Sequence, residues 1–237
     1  MLLSDLVRRA TAELVGTALL VAIVVGSGIA AQRLSPGNIG LQLLENSIAT
    51  GAGLVALILA IGPVSGAHFN PVVTLADRIL GGMTTNDAAV YIVAQTVGAC
   101  AGAMIANLMF SLSAINVSTH TRSSGGLWLG ELVATFGLVL VILGVVRAGR
   151  TGTAAFAVGG YIAAAYWFTS STSFANPAVT IGRALTDTFA GIKPSSVPAF
   201  VVMQLAGGVG AVVLAHYWYP SIPAADLVVP HDSPDLV

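Results

Sequence analysis

GAHFNPVVT at residues 66–74 and TSFANPAVT at residues 172–180 are two readings of one pattern, in which Asn70, Pro71, Val73 and Thr74 recur as Asn176, Pro177, Val179 and Thr180. Proline lacks an N–H and its φ already suits a helix, so a Pro directly after an Asn marks a helix start with the Asn as cap. Helical character continues over residues 72–80 and 178–189, far short of the roughly twenty residues that cross a bilayer. Each copy reads as a half-helix.

Around the two copies almost everything is apolar. The 237 residues are 56% hydrophobic and 8% charged, with a mean hydropathy of +0.89; an ordinary soluble domain carries about 25% charged residues. The lipid bilayer is therefore the medium of an integral membrane protein. The net charge of -1 excludes the basic face that nucleic acid would need. Cys100 is the only cysteine, so no intrachain disulfide can form, and its apolar neighbours suggest a buried thiol.

Working outward, residues 10–31 form a first span. Arg8 and Arg9 before it imitate a signal peptide, but the run is too long for one and contains Glu13. A second span, 43–61, is stopped by Gly62-Pro63 and leads into the first Asn-Pro box; a third is 88–110. The polar stretch 111–126 divides the chain, and spans at 127–146, 153–168 and 197–217 follow, with the second box between the last two. One channel domain over 1–237 results, with halves 1–111 and 126–219, and a tail at 220–237, with four prolines and three aspartates, that reads as disordered. Three spans per half turn the second half upside down. Glu13-Leu14-Val15 recurs as Glu131-Leu132-Val133, and Gln95 recurs as Gln204, each Gln followed by Gly and Ala at close-packing positions.

Short, Pro-interrupted segments at matching places in two halves point to an intramembrane site built from discontinuous helices. The pattern resembles the aquaporin and glycerol-facilitator family, whose two Asn-Pro-Ala boxes meet head to head at mid-membrane. Here the boxes are Asn70-Pro71-Val72 and Asn176-Pro177-Ala178, the first departing from the usual Ala. The resemblance implies an all-α fold of six membrane helices and two re-entrant half-helices in an inverted repeat. It also implies one pore per subunit of a homotetramer in the cell (plasma or inner) membrane, with cytoplasmic termini. Arg8, Arg9, Arg147 and Arg150 on one side against Arg33, Arg122 and Lys193 on the other favour the same orientation.

Non-helical backbone at membrane depth is tolerated along a wet cavity. Gly66, Ala67, His68 and Phe69 in one loop and Thr172, Ser173, Phe174 and Ala175 in the other should therefore turn carbonyls toward the passage. Asn70 and Asn176 should donate to a solute at its centre. The two half-helix N-termini, each worth roughly +0.5 of an elementary charge, disfavour cations there. Glu13 and Glu131 are either proton carriers or acceptors for the N–H groups of the box loops, the role the family implies, with Gln95 and Gln204 as braces. His68 either contacts solute in the cytoplasmic half, as the family implies, or braces the loop.

Most family members have an Arg directly after the second box; here Val179 stands there, so the constriction should be wider and less polar. Counting back from the boxes gives Thr50, Ser173 and Ala164 as the other filter positions, with Ala165 or Tyr161 as alternatives to Ala164. Residues 175–191 resemble the bacterial aquaglyceroporin branch associated with arsenic resistance, which implies passage of polyols such as glycerol, arsenous acid and related arsenicals, with some water. A water-selective pore and a proton-coupled transporter using Glu13 or Glu131 are the rivals. Arg183, one turn beyond Val179 and about 6 Å farther out, either forms a cationic vestibule, pairs with Asp187, or caps a loop carbonyl. Nothing indicates an enzyme: no nucleophile elbow accompanies the scattered Ser, His and Asp, and no metal or cofactor is implied.

Overall fold

A computed structural model describes residues 3–219; the tail predicted at 220–237 lies outside the described residues. The helices are α1 (Leu3–Leu34), α2 (Ile39–Ser65), α3 (Pro71–Ile79), α4 (Thr85–Met109), α5 (Gly125–Arg147), α6 (Ala154–Phe168), α7 (Pro177–Gly182) and α8 (Val197–Trp218). Long, long, short, long thus occurs twice. Five of the helices are long and apolar enough to cross a membrane. The sixth crossing, α6, has 15 residues behind a 3-10 turn at Thr151–Thr153. At 1.5 Å per α residue and about 2 Å per 3-10 residue, the pair reaches roughly 28 Å, close to the hydrocarbon thickness.

Two expectations about helix ends are corrected. Pro63 does not stop α2, which continues to Ser65 and closes on Gly66 at φ +84°. A proline one turn from a C-terminus forfeits only its own hydrogen bond, and Gly66 supplies the left-handed cap. The second half-helix is shorter than residues 178–189: α7 ends at Gly182, followed by a 3-10 turn at Arg183–Leu185. Beyond it the chain is drawn into side-chain and loop bonding. Asn107 Nδ2 donates to Leu185 O, Thr186 Oγ1 donates to Asn107 Oδ1, and Asn116 N donates to Leu185 O.

Small residues let the long helices touch. A Cβ on Gly98 of α4 would stand 2.3 Å from the Leu14 carbonyl oxygen of α1, and one on Gly207 of α8 would stand 2.4 Å from that of Leu132 in α5. The pairs α1/α4 and α5/α8 are thereby matched across the two halves. Apolar side chains such as Val93, Val97, Val202 and Val213 lie exposed on the outside, as a lipid-facing surface requires. Six crossings, three in each half, place the α1 start and the α8 end on one side, called here the terminal side; α3 runs from the middle toward it and α7 toward the far side.

Candidate functional site

Asn70 and Asn176 sit at the caps of α3 and α7, where Asn70 Oδ1 accepts from Val72 N at 2.9 Å and Asn176 Oδ1 from Ala178 N at 3.0 Å. Their amides then cross over. Asn70 Nδ2 donates to Ala175 O at 2.8 Å, and Asn176 Nδ2 donates to Phe69 O at 2.7 Å. Each cap thus binds the residue just before the other cap. One of the two amide donors on each Asn is used in this cross-link, leaving the second for a solute.

The loops before the caps are bent into the left-handed region at Ala67, Phe69, Thr172, Ser173 and Ala175, with φ between +47° and +61°. Left-handed geometry costs a side-chain-bearing residue of order 1–3 kcal/mol, so something must hold it. Two buried carboxylates do. Glu13 accepts from His68 N (3.0 Å), Phe69 N (2.7 Å), Ser65 Oγ (2.7 Å) and Gln95 Nε2 (2.7 Å). Glu131 accepts from Phe174 N (2.9 Å), Ala175 N (2.9 Å) and Gln204 Nε2. Each Gln amide also donates to the Thr four positions after the Asn of its box, Thr74 and Thr180, at 2.9 Å in both copies. With its N–H groups turned back to a carboxylate, each loop is free to present carbonyls on its other face.

That face borders a passage with an internal volume of about 90 Å3, which both Asn side chains line. Its walls follow the four-residue repeat of a helix face: Leu20 and Val24 on α1; Thr50, Leu54 and Ile58 on α2; Leu138, Ile142 and Val146 on α5; Ala154, Val158, Ile162 and Tyr166 on α6. Gly66, Ala67, His68, Phe69, Val73, Ser173, Phe174, Ala175, Val179 and Arg183 complete the lining, and among the described residues no acidic one belongs to it.

Residues 2–172 match the Major intrinsic protein family. The chain is 48% identical to Aquaglyceroporin AqpS of Rhizobium meliloti (strain 1021) over 97% of its own length and 98% of that protein's. It is 32% identical to Probable aquaporin AqpM of Archaeoglobus fulgidus, covering 90% of this chain and 97% of the relative. This chain belongs to the major intrinsic protein family. The X-ray structure of the aquaglyceroporin from Plasmodium falciparum superposes with a TM-score of 0.69 at 25% identity, over 94% of this chain and 99% of that one.

Within this family frame the individual positions can be sorted. Thr50, Ser173 and Val179 line the far-side end of the passage. Ala164 does not: it is exposed on the outer face of α6. Counting back from Asn176 assumed a loop of fixed length, whereas the lining face of α6 advances by fours from Ala154 and arrives at Tyr166. Tyr166, 3% exposed, sets its hydroxyl 3.2 Å from Thr50 Oγ1, so the constriction carries a ring where a methyl group was expected. The two alternatives fail for the same reason. Ala165 is fully buried behind the wall, and the Tyr161 hydroxyl donates to Ala134 O at 3.1 Å instead.

Thr172 is likewise absent from the lining and only half-buried; its part is the backbone turn. Pro71, Val72, Pro177 and Ala178 are buried behind the passage rather than on it. Val72 explains its own departure from Ala: Gly208 on α8 makes room, since a Cβ there would fall 2.2 Å from Val72 Cγ1. His68 lines the passage, and its Nδ1 lies 3.1 Å from Thr74 Oγ1. Arg183 takes the carbonyl-capping reading and also reaches the passage. Its Nε donates to the Ala190 carbonyl while the side chain lines the passage; Asp187 instead accepts from Thr119 N at 2.8 Å.

Proposed function

We propose that the chain lets small uncharged solutes diffuse down their gradients through the passage between its two halves, with glycerol-like polyols and arsenous acid as the solutes and some water alongside. One observation carries this: a passage with a polar, cross-linked centre and, among the described residues, no acidic side chain on its wall. Two half-helix N-termini directed at that centre oppose cations, while the spare amide donors and the loop carbonyls suit hydroxyl groups. Val179 in the place of the family's usual Arg favours solutes larger than water, and Thr50, Tyr166 and Ser173 supply the polar part of the filter.

Arsenous acid is supported by its chemistry, small, neutral and hydroxylated near pH 7, and by the likeness of residues 175–191 to the arsenic-resistance branch. The homologues bear channel names, and this protein is a channel and not an enzyme. We further propose a homotetramer with one passage per subunit, seated in the cell membrane with both termini in the cytoplasm. The distribution of Lys and Arg beside the spans supports that orientation.

Stopped-flow swelling of vesicles holding the purified protein tests the reading with water, glycerol and arsenite. The expected order is non-saturating glycerol and arsenite entry well above empty vesicles, insensitive to a proton gradient, and reduced about tenfold or more in Val179→Arg. Swelling in water alone would replace this reading with a water pore. Saturation coupled to a proton gradient would replace it with a transporter.

A further inference from the structure

Arg183 is 2% exposed, yet it has no carboxylate partner. Among the described residues, the ion pairs involve Arg8, Arg9, His68 and His120, never Arg183 or its neighbour Arg122. Both guanidiniums lie over the ring of Phe174, that of Arg183 at 3.4 Å from the centroid and that of Arg122 at 5.1 Å. Arg122 spends its Nε on Gly191 O at 2.9 Å and a terminal nitrogen on Phe189 O at 3.3 Å. Arg183 spends only its Nε, on Ala190 O. A fixed fork with its terminal N–H groups unused therefore borders the passage beside a second guanidinium, and Glu131, the carboxylate whose charge both feel, is committed to Phe174 N, Ala175 N and Gln204.

A second observation meets it from the opposite loop. Ser173 Oγ is buried, lines the same end of the passage and has no hydrogen-bond partner. A buried hydroxyl left without a partner costs roughly 1–3 kcal/mol, which a ligand oxygen arriving there would recover. Tyr166 belongs to the same lining, its hydroxyl 3.2 Å from that of Thr50.

We propose that Arg183, Ser173 and Tyr166 form a subsite at the far-side mouth that receives the oxyanion group of a small oxyacid, a carboxylate being the simplest case. The proposal rests on the channel reading and deepens it, because the subsite lies on the solute's route. A guanidinium fork matches the two oxygens of such a group, and pairing with an ionised acceptor roughly doubles the strength of each hydrogen bond. Further passage is a different matter. Below the centre His68 is the one polar side chain on a wall otherwise made of groups such as Leu54, Ile58, Ile142, Val146 and Val158, where an ion finds no counter-charge. An oxyanion therefore stops at the mouth and obstructs neutral solutes, which continue through.

Glycolate and ethylene glycol, similar in size and differing in the carboxylate, separate these effects. In vesicles exchanging tracer glycerol, added glycolate is expected to slow exchange through the native channel, and ethylene glycol at equal concentration is expected to do so far less. Arg183→Gln should raise the glycolate concentration for half effect about tenfold or more, read against that variant's own glycerol exchange without glycolate. If Arg183→Gln yields no conducting protein, Arg183→Lys should keep a weaker glycolate effect and Ser173→Ala should diminish it. Native channel that exchanges glycerol without any glycolate effect, or an effect equal in native protein and Arg183→Gln, overturns the subsite and leaves the channel standing. Absence of glycerol exchange overturns the channel reading instead. The subsite is then judged by the thermal midpoint of detergent-purified protein, which glycolate must raise in native protein and not in Arg183→Gln.

Discussion

Replacing Glu13 or Glu131 by Gln separates a structural carboxylate from a proton carrier. At each site two consecutive backbone N–H groups bond to the two different oxygens of one carboxylate: His68 and Phe69 on Glu13, Phe174 and Ala175 on Glu131. A Gln keeps the shape but offers one acceptor and one NH2. Whichever way its amide is turned, one backbone donor faces another donor. Gln95 and Gln204 can reverse their own amides to suit; the backbone cannot. One stranded, buried N–H costs about 1–3 kcal/mol, so Glu13→Gln and Glu131→Gln should each lose that much. The Ala variants, which strand both donors and leave a void, should lose about 2–6 kcal/mol or more. Thermal denaturation of the detergent-purified protein, followed by size-exclusion chromatography, measures the loss. Solute flux through whatever folds should show an unchanged pH profile. A Glu13→Gln protein as stable as the native one, with its uptake released from pH control, would refute the reasoning and restore the proton carrier.

Three further outcomes follow from particular contacts. Tyr166→Ala removes the ring and hydroxyl that meet Thr50, and should raise glycerol permeability relative to water in vesicle swelling. Gly208→Ala drives a Cβ into Val72 and should destabilise by about 1–3 kcal/mol, whereas Gly208→Ala with Val72→Ala should recover most of the loss, a non-additivity read by the same denaturation assay. Hydrogen bonds from Thr119 hold the Asp187 carboxyl below its ordinary range. Its contribution is therefore full above the unfolded value of about 3.9 and lost as pH falls through the lower folded value. The difference in thermal midpoint between native protein and Asp187→Asn should stay constant from neutral pH to about pH 4 and close below it.

The boxes and braces were legible because each is a local pattern repeated: an Asn before a Pro needs a helix start, and a Glu or Gln inside an apolar span needs a partner. What escaped depends on contacts between distant segments. Tyr166 was within reach, since Ala154, Val158, Ile162 and Tyr166 recur every four residues, but a count taken from the box crossed a loop whose length carries no register. The end of α7 is decided by Asn107, 79 positions before the Thr186 hydroxyl that bonds to it. The fit of Val72 against Gly208 has no signature within either segment. Pro63 misled because a proline in a final helical turn forfeits so little.

The crossed asparagines account for a difficulty that the sequence pattern raises without answering. Two half-helices whose N-termini share a central point present like partial charges to each other, in a medium where water is too scarce to screen them. Cap bonds alone would satisfy each helix and do nothing to join the pair. The bonds from Asn70 to Ala175 O and from Asn176 to Phe69 O place a carbonyl, the negative end of a dipole, against each cap, and so bind each half-helix to the other's loop. An Asn amide suits this position because it must accept from its own helix, donate across the contact and donate once more toward the passage; Asp lacks the donors and Ser lacks the reach. Asn70→Asp or Asn176→Asp should accordingly weaken the junction of the two halves as well as the centre of the passage, since a carboxylate would face a carbonyl oxygen where an N–H now stands.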